Sequence, residues 1–327
     1  MKQILILVGW IFAAMLLGFL CTNGLDPYPQ TIVASMGINI VLAVSLNLVN
    51  GFTGQFSLGH AGFMAVGAYT SALLTTTIGP AFLGSDFLAQ PIVAEVSTLI
   101  AILGGGAIAA AIGFVVGIPS LRLRGDYLAV VTLGFGEIIR IFILNVETVG
   151  GARGYYGIPQ LVNLYWIMIF AFISVIFIQR TLSSIVGKQF MAVRDDETAT
   201  LAMGLSTTRI KVRSFVMSSF FAGIAGALFA HYYAYLNPAT FTFNYSFQVV
   251  AMVVLGGMGS LSGSVVAAIL LTGLLELLRE AQTYTSLDLR MVIYSLILIV
   301  IMLTRPQGLF GSRELSDFFK KKRKASA

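Results

Sequence analysis

The chain has 327 residues, of which 57% are hydrophobic and 10% charged, with a net charge of +6. A soluble domain carries about 25% charged residues, and at a mean hydropathy of +0.90 too little charge is present to cover a water-facing surface. Composition therefore excludes a soluble globular domain and predicts an all-α polytopic membrane protein. The single cysteine, Cys21, excludes an internal disulfide and a cysteine-ligated cluster. His60 and His231 stand too far apart in sequence to suggest a metal site, so no cofactor is expected.

A helix needs about 20 apolar residues to cross ~30 Å of hydrocarbon. On that ruler ten spans are expected, at 4–21, 31–49, 56–78, 92–118, 127–146, 161–179, 214–236, 241–256, 259–278 and 287–303, making one transmembrane domain over 1–327. The first run is read as a span and not as a cleaved leader, because it is long and no A-x-A site follows it. The almost unbroken apolar stretch from Phe247 to Leu278 is divided at GGMGSLSG, where glycine and serine interrupt it. A re-entrant pair fits there equally well.

The second span carries Ser35, Asn39, Ala43, Asn47 and Asn50 within an arc of about 120° at ~100° per residue. Three asparagines facing lipid are costly, so the stripe is expected to face protein or water. Interhelical hydrogen bonding and lining of a translocation path are both open readings. The stripe runs into NGFTGQFSLGHAGF, from Asn50 to Phe63, where Gly51, Gly54, Gly59 and Gly62 alternate with Gln55, Ser57 and His60. An uncharged, glycine-rich break between two spans is tolerated only against protein or a cavity. Its spacing has a faint echo at Gly256, Gly259 and Ser262.

Small residues let helices approach closely in lipid. Gly105, Ala109, Gly113 and Gly117 in the fourth span, and Ala222, Gly226 and Ala230 in the seventh, are expected as packing seams. In the fifth span Glu137 and Arg140 lie near the bilayer middle at i,i+3. They read either as a mutually neutralising pair or as a contact for a zwitterionic substrate.

Lysine and arginine stay cytoplasmic. With the amino terminus inside, sixteen of the 20 basic residues fall on one side and three on the other, which places both termini in the cytoplasm. The basic balance thus follows a membrane pattern and not a nucleic-acid one. The tail from 305 to 327, with KKKRK at Lys320 to Lys324, suits anionic headgroups.

Between spans six and seven runs a cytoplasmic segment, 187–213, far longer than a connection needs. Asp195 is expected to cap a short helix whose first turn holds Asp196 and Glu197 and which ends at Gly204. Leu201 and Met203 are apolar on an element too short to be stable alone, so it is expected to lie in a groove, with Arg194 beside it.

The run AVRDDETATLAMG from Ala192 to Gly204 is followed by KVRSF and SSFFAGIAGALFA. Together with NGFTGQFSLGHAGFMAVGAY, LRGDYLAVVTLGFGEIIR and VLGGMGSLSG, it resembles LivM-type permease subunits of branched-chain amino-acid ABC importers. The likeness extends from about Val49 to the last span. It departs from the family at Gly150 to Pro159 and at Thr200, which stands where alanine is usual. The resemblance implies a bundle of about ten helices paired with a second, similar permease in the inner membrane. It also implies two cytosolic ATPases, coupled through Arg194, Asp195, Asp196, Glu197, Leu201, Met203 and Gly204, and an extracytoplasmic binding protein. Asn39, Asn47, Asn50, Gln55, Ser57, Glu137 and Arg140 are then candidates for the path. The chain has no G-x-x-x-x-G-K-[ST] loop, so ATP hydrolysis falls to partners. Urea, short amides or other amino acids are alternative substrates, and an ion-coupled secondary transporter is a further alternative.

Overall fold

Lipid offers a backbone nothing to hydrogen-bond with, so a chain this apolar has to close its peptide groups within helices. The computed structural model describes residues 26–83, 90–121, 125–285, 290–304 and 307–311. The expected first span, Arg122, Arg124 and nearly all of the basic tail lie outside the described residues. The helices are α1 (Pro27–Asn47), α2 (His60–Leu73), α3 (Pro91–Ser120), α4 (Asp126–Asn145), α5 (Leu164–Ser183) and α6 (Ile185–Asp195). After them come α7 (Glu197–Ala202), α8 (Thr207–Tyr233), α9 (Phe243–Gly256), α10 (Leu261–Thr285) and α11 (Arg290–Thr304). Eight of these, α1 to α5 and α8 to α10, are long and apolar enough to cross a membrane once their flanking turns are counted. α11, at 15 residues, reaches only about 22 Å at 1.5 Å per residue.

Three boundaries differ from expectation. The third span begins at His60 and not at 56, because Thr53 to Gly59 leave the helical conformation. α1 runs further than expected, through a wide turn at Leu48–Phe52. α8 starts at Thr207, so Arg209, Lys211 and Arg213 belong to its first turns and not to the loop before it. The division of 241–278 falls in the glycine-rich word: α9 stops at Gly256, and Gly257 and Gly259 reverse the chain at φ +109° and +91°.

Two groups of helices share the interior. In the first, α8 lies against α2 and α3, and the contact is made by small residues. A Cβ on Gly105 would stand 2.6 Å from the Gly67 carbonyl oxygen, and one on Gly223 would stand 2.5 Å from Ala109 Cβ. Gly226 abuts Met64 of α2, Gly113 abuts Ser219, and Gly117 faces the Phe215 ring; Ala222 is fully buried. Gly67 of α2 is a further partner in this seam, and with Ser71 it shows the same four-residue spacing of small residues. In the second group α1 packs on α9 and α10 through the asparagine stripe.

The connections collect at two ends. One end gathers Gly54, the segment after α5, the α9–α10 turn and residues 307–311, where Leu309 N donates to Leu255 O at 2.7 Å. The other end gathers the loop after α4 and the turn after α8, joined by an isolated antiparallel bridge between Tyr155 and Leu236. There Tyr165 Oη and Trp166 Nε1 donate to Glu95 at 2.6 and 2.9 Å, which matches the amphipathic aromatics of a membrane interface.

The seam gives a stability prediction. Gly67→Val must push apart α2 and α8, at a cost of about 1–3 kcal/mol or more. Gly134→Ala, inside α4, meets no atom within 4 Å and should keep stability or raise it by about 0.4–1 kcal/mol. Thermal unfolding of the purified subunit in detergent should separate the two, and equal midpoints would remove the seam from the account of stability.

Candidate functional site

The backbone between Thr53 and Gly59 leaves the helix and cannot satisfy itself, and side chains around it complete it. Asn50 Oδ1 accepts from Ser57 N at 3.1 Å, and Asn50 Nδ2 donates to Ser57 O at 3.4 Å, closing the break on itself. Thr53 Oγ1 donates to Leu48 O at 2.8 Å. Leu58 N donates to Thr132 Oγ1 of α4, and Ala61 N to Ser246 Oγ of α9. His60 Nε2 lies 3.0 Å from Ser45 Oγ. Gln55 is 4% exposed, and neither of its side-chain polar atoms has a partner among the described residues.

Asn47 joins this break to the second glycine word. Its Oδ1 accepts from Gly259 N at 3.0 Å, and its Nδ2 donates to Ser260 O at 2.9 Å and Ser264 Oγ at 2.7 Å. The two glycine-rich words therefore meet in space, with Gly51 pressed against Gly259. Asn47 and Asn50 are buried, and their bonds are interhelical or internal to the break. Asn39 lies elsewhere on the stripe. It donates to Thr272 Oγ1 at 2.9 Å, accepts from Tyr245 Oη at 3.1 Å, and lines a cavity of about 170 Å³ with Ser35, Tyr233, Gln248 and Glu276.

Arg194 reaches the same hub from the segment after α5. Its Nη1 donates to Gly51 O at 3.4 Å, and its aliphatic stem lies against Gly54. Asp195 Oδ1 accepts from its Nε and Nη2 at 3.0 and 2.9 Å. Asp195 is thus the last residue of α6 and not a cap. The cap of α7 is Asp196, whose Oδ1 accepts from Thr198 N at 2.8 Å and Ala199 N at 3.0 Å. The correction is one residue, and its cause is that α6 extends through Asp195 before the chain turns. At the far end Leu205 N donates to Thr200 O and Gly204 N to Leu201 O, with Gly204 at φ +82°, the left-handed helix stop that glycine allows.

Phe190 and Val193 of α6 are buried, at 0% and 5% exposure, and hold the segment to the bundle. Thr200, the departure from the expected alanine, donates to Ala192 O at 2.9 Å and ties α7 back to α6. Glu197 pairs with Lys211 of α8 at 2.8 Å. The opposite side is uncovered: Met203 is 81% and Leu201 47% exposed. Glu137 and Arg140 of α4 pair with each other at 2.7 Å, far from this hub in sequence and partly exposed.

The family described as "Branched-chain amino acid transport system / permease component" matches residues 28–302. The LivM protein of Escherichia coli, a high-affinity branched-chain amino acid transport system permease, is 37% identical over 94% of this chain and 75% of its own. A probable LivM of Methanocaldococcus jannaschii is 27% identical over 85% and 92%, and the LivH permease of E. coli is 24% identical over 84% and 92%. No solved structure gives a significant match.

Asn47→Ala should strand the buried Gly259 N–H. An unmade buried hydrogen bond costs about 1–3 kcal/mol, so the unfolding midpoint of the purified subunit should fall. Unchanged unfolding would mean that the hub is not held by this side chain.

Proposed function

We propose that this chain, which belongs to the family of permease components of branched-chain amino acid transport systems, passes leucine, isoleucine or valine across the inner membrane as a subunit of an ATP-driven importer. It is an integral membrane protein with a second, related permease as partner. Likeness to both LivM and LivH proteins supports a pair of related chains. Two cytosolic ATPases supply the energy and an extracytoplasmic protein delivers the ligand, so this subunit carries out no covalent step. The whole chain acts as one permease domain, with both termini in the cytoplasm.

The observation that carries the coupling half of this reading is the segment from Ile185 to Leu205. It is stopped at both ends of α7 and pinned to α8, yet it leaves Leu201 and Met203 uncovered. A short apolar helix displayed this way suits a groove on another protein. Arg194 stands between that surface and the Gly51–Gly259 hub, so a push on α7 reaches the broken helix through one guanidinium and the short α6. The chemistry required is displacement: the ATPases move α6 and α7 as a unit, the hub moves with them, and the helices on either side change their spacing. Asn47 and Asn50 hold the break together during the stroke, which gives them a positioning role and leaves the path to other side chains.

Met203→Asp would bury a charge in the ATPase contact. Membranes carrying it should retain the inserted permease but lose ATPase retention or ATP-dependent leucine uptake, whereas Lys322→Ala should behave as wild type. Wild-type retention together with wild-type uptake in Met203→Asp would overturn the coupling assignment.

The orientation has its own check. Of cysteines placed at Lys188 and Tyr156, the latter 67% exposed, Tyr156 should react with an impermeant maleimide added to intact cells, and Lys188 only in inside-out vesicles. Reaction of both from one face rejects the arrangement.

A further inference from the structure

Deepening the reading just given, and resting on it for the existence of a partner permease, we infer that the Glu137-bearing flank of α4 is the seam against that partner and not a lipid-facing surface. α4 turns one side inward: Thr132 and Gly136 meet Gly59 and Gly62, and Leu128 and Ile143 are buried. Val130, Leu133, Glu137, Arg140 and Leu144 share a different flank, within about 80° at ~100° per residue. On that flank Val130 is 66% exposed, and the side chains of Glu137 and Arg140 keep 30% and 25% exposure.

The pair lies 11 and 14 residues beyond the start of α4 at Asp126, about 17 and 21 Å along it at 1.5 Å per residue. Both side chains are thus within the hydrocarbon layer, where charged side chains face a bundle interior or a water-filled cavity and not acyl chains. Their mutual bond at 2.7 Å leaves further donors of the guanidinium and lone pairs of the carboxylate to satisfy. Water alone would satisfy them but would also wet Val130 and Leu144. A second protein surface, apolar at the level of those two and polar between them, suits the whole flank. Gly134, beside the flank, has no atom within 4 Å of where a Cβ would stand, and so leaves a notch into which another helix can approach closely.

The partner is a distinct homologous chain, as likeness to both LivM and LivH proteins supports. Such a chain can offer a complementary surface at the levels of Glu137 and Arg140, and the zwitterion passing between the chains then meets the pair at mid-membrane.

The test places a benzophenone amino acid at Val130 and at Leu144, both surface positions, with Phe177 on α5 as control. Irradiation is done in native membrane vesicles holding the whole complex, and products are identified by peptide mass. An adduct with a distinct permease of this family at either α4 position, and none at Phe177, is the expected result. Adducts with a second copy of this chain, with another subunit, with lipid alone, or equally at Phe177, overturn the inference. Leucine uptake by the same vesicles separates this from the functional reading. The permease adduct in vesicles that take up no branched-chain amino acid supports the seam and removes the substrate, whereas uptake without that adduct removes the seam.

Discussion

Everything distinctive in this bundle follows from the need to satisfy backbone groups where no water is available. An unbroken helix meets that need by itself. Between Thr53 and Gly59 the chain gives up the helix, and each exposed peptide group then needs a named partner. Asn50 and Thr132 supply two of them from different elements, and Ser246 of α9 takes the N–H of Ala61 in the first turn of α2. The break is therefore not a local feature of one connection. It exists only while α1, α4 and α9 stand where they do, which makes it sensitive to any shift among them.

That sensitivity is what a coupled transporter uses. A straight helix resists displacement along its whole length, whereas a break held by a few side-chain hydrogen bonds, each worth about 0.5–1.5 kcal/mol net, can rearrange at modest cost. Arg194, near the end of α6, stands against Gly51 and Gly54 of one break and beside Gly259 of the other. The glycines matter here for closeness: any side chain at Gly51 would meet Asn47 and the Gly259 backbone, and the two breaks would separate.

The rest of the interior is built to stay rigid around this hub. α2, α3 and α8 approach along glycine and alanine, so their contact is backbone on backbone and has no long side chains to repack. A trio packed through glycine and alanine thus stands beside a group held together by polar side chains. Asn39 shows how finely the polar side is divided, since it shares the stripe with Asn47 but bonds Thr272 and Tyr245 beside a separate cavity.

The sequence by itself determined the class, the eight described apolar helices and the short capped helix between α5 and α8. Those features are written in composition, in runs of about 20 apolar residues and in local capping chemistry, each a property of residues near one another in the chain. Even there, Asp195 and Asp196 are both able to cap, and only the extent of α6 decided for Asp196. The glycine words at Asn50 to Phe63 and Gly256 to Ser262 are visible as similar spellings, but 212 residues separate Asn47 from the Gly259 amide it accepts from, and no periodicity records such a meeting. Arg194 likewise stands out in the sequence only beside the short capped helix, because its partner, Gly51 O, lies 143 residues away. Periodicity reports which face of a helix is polar; which polar groups share that face with it depends on how the helices cross, and only the tertiary structure decided that.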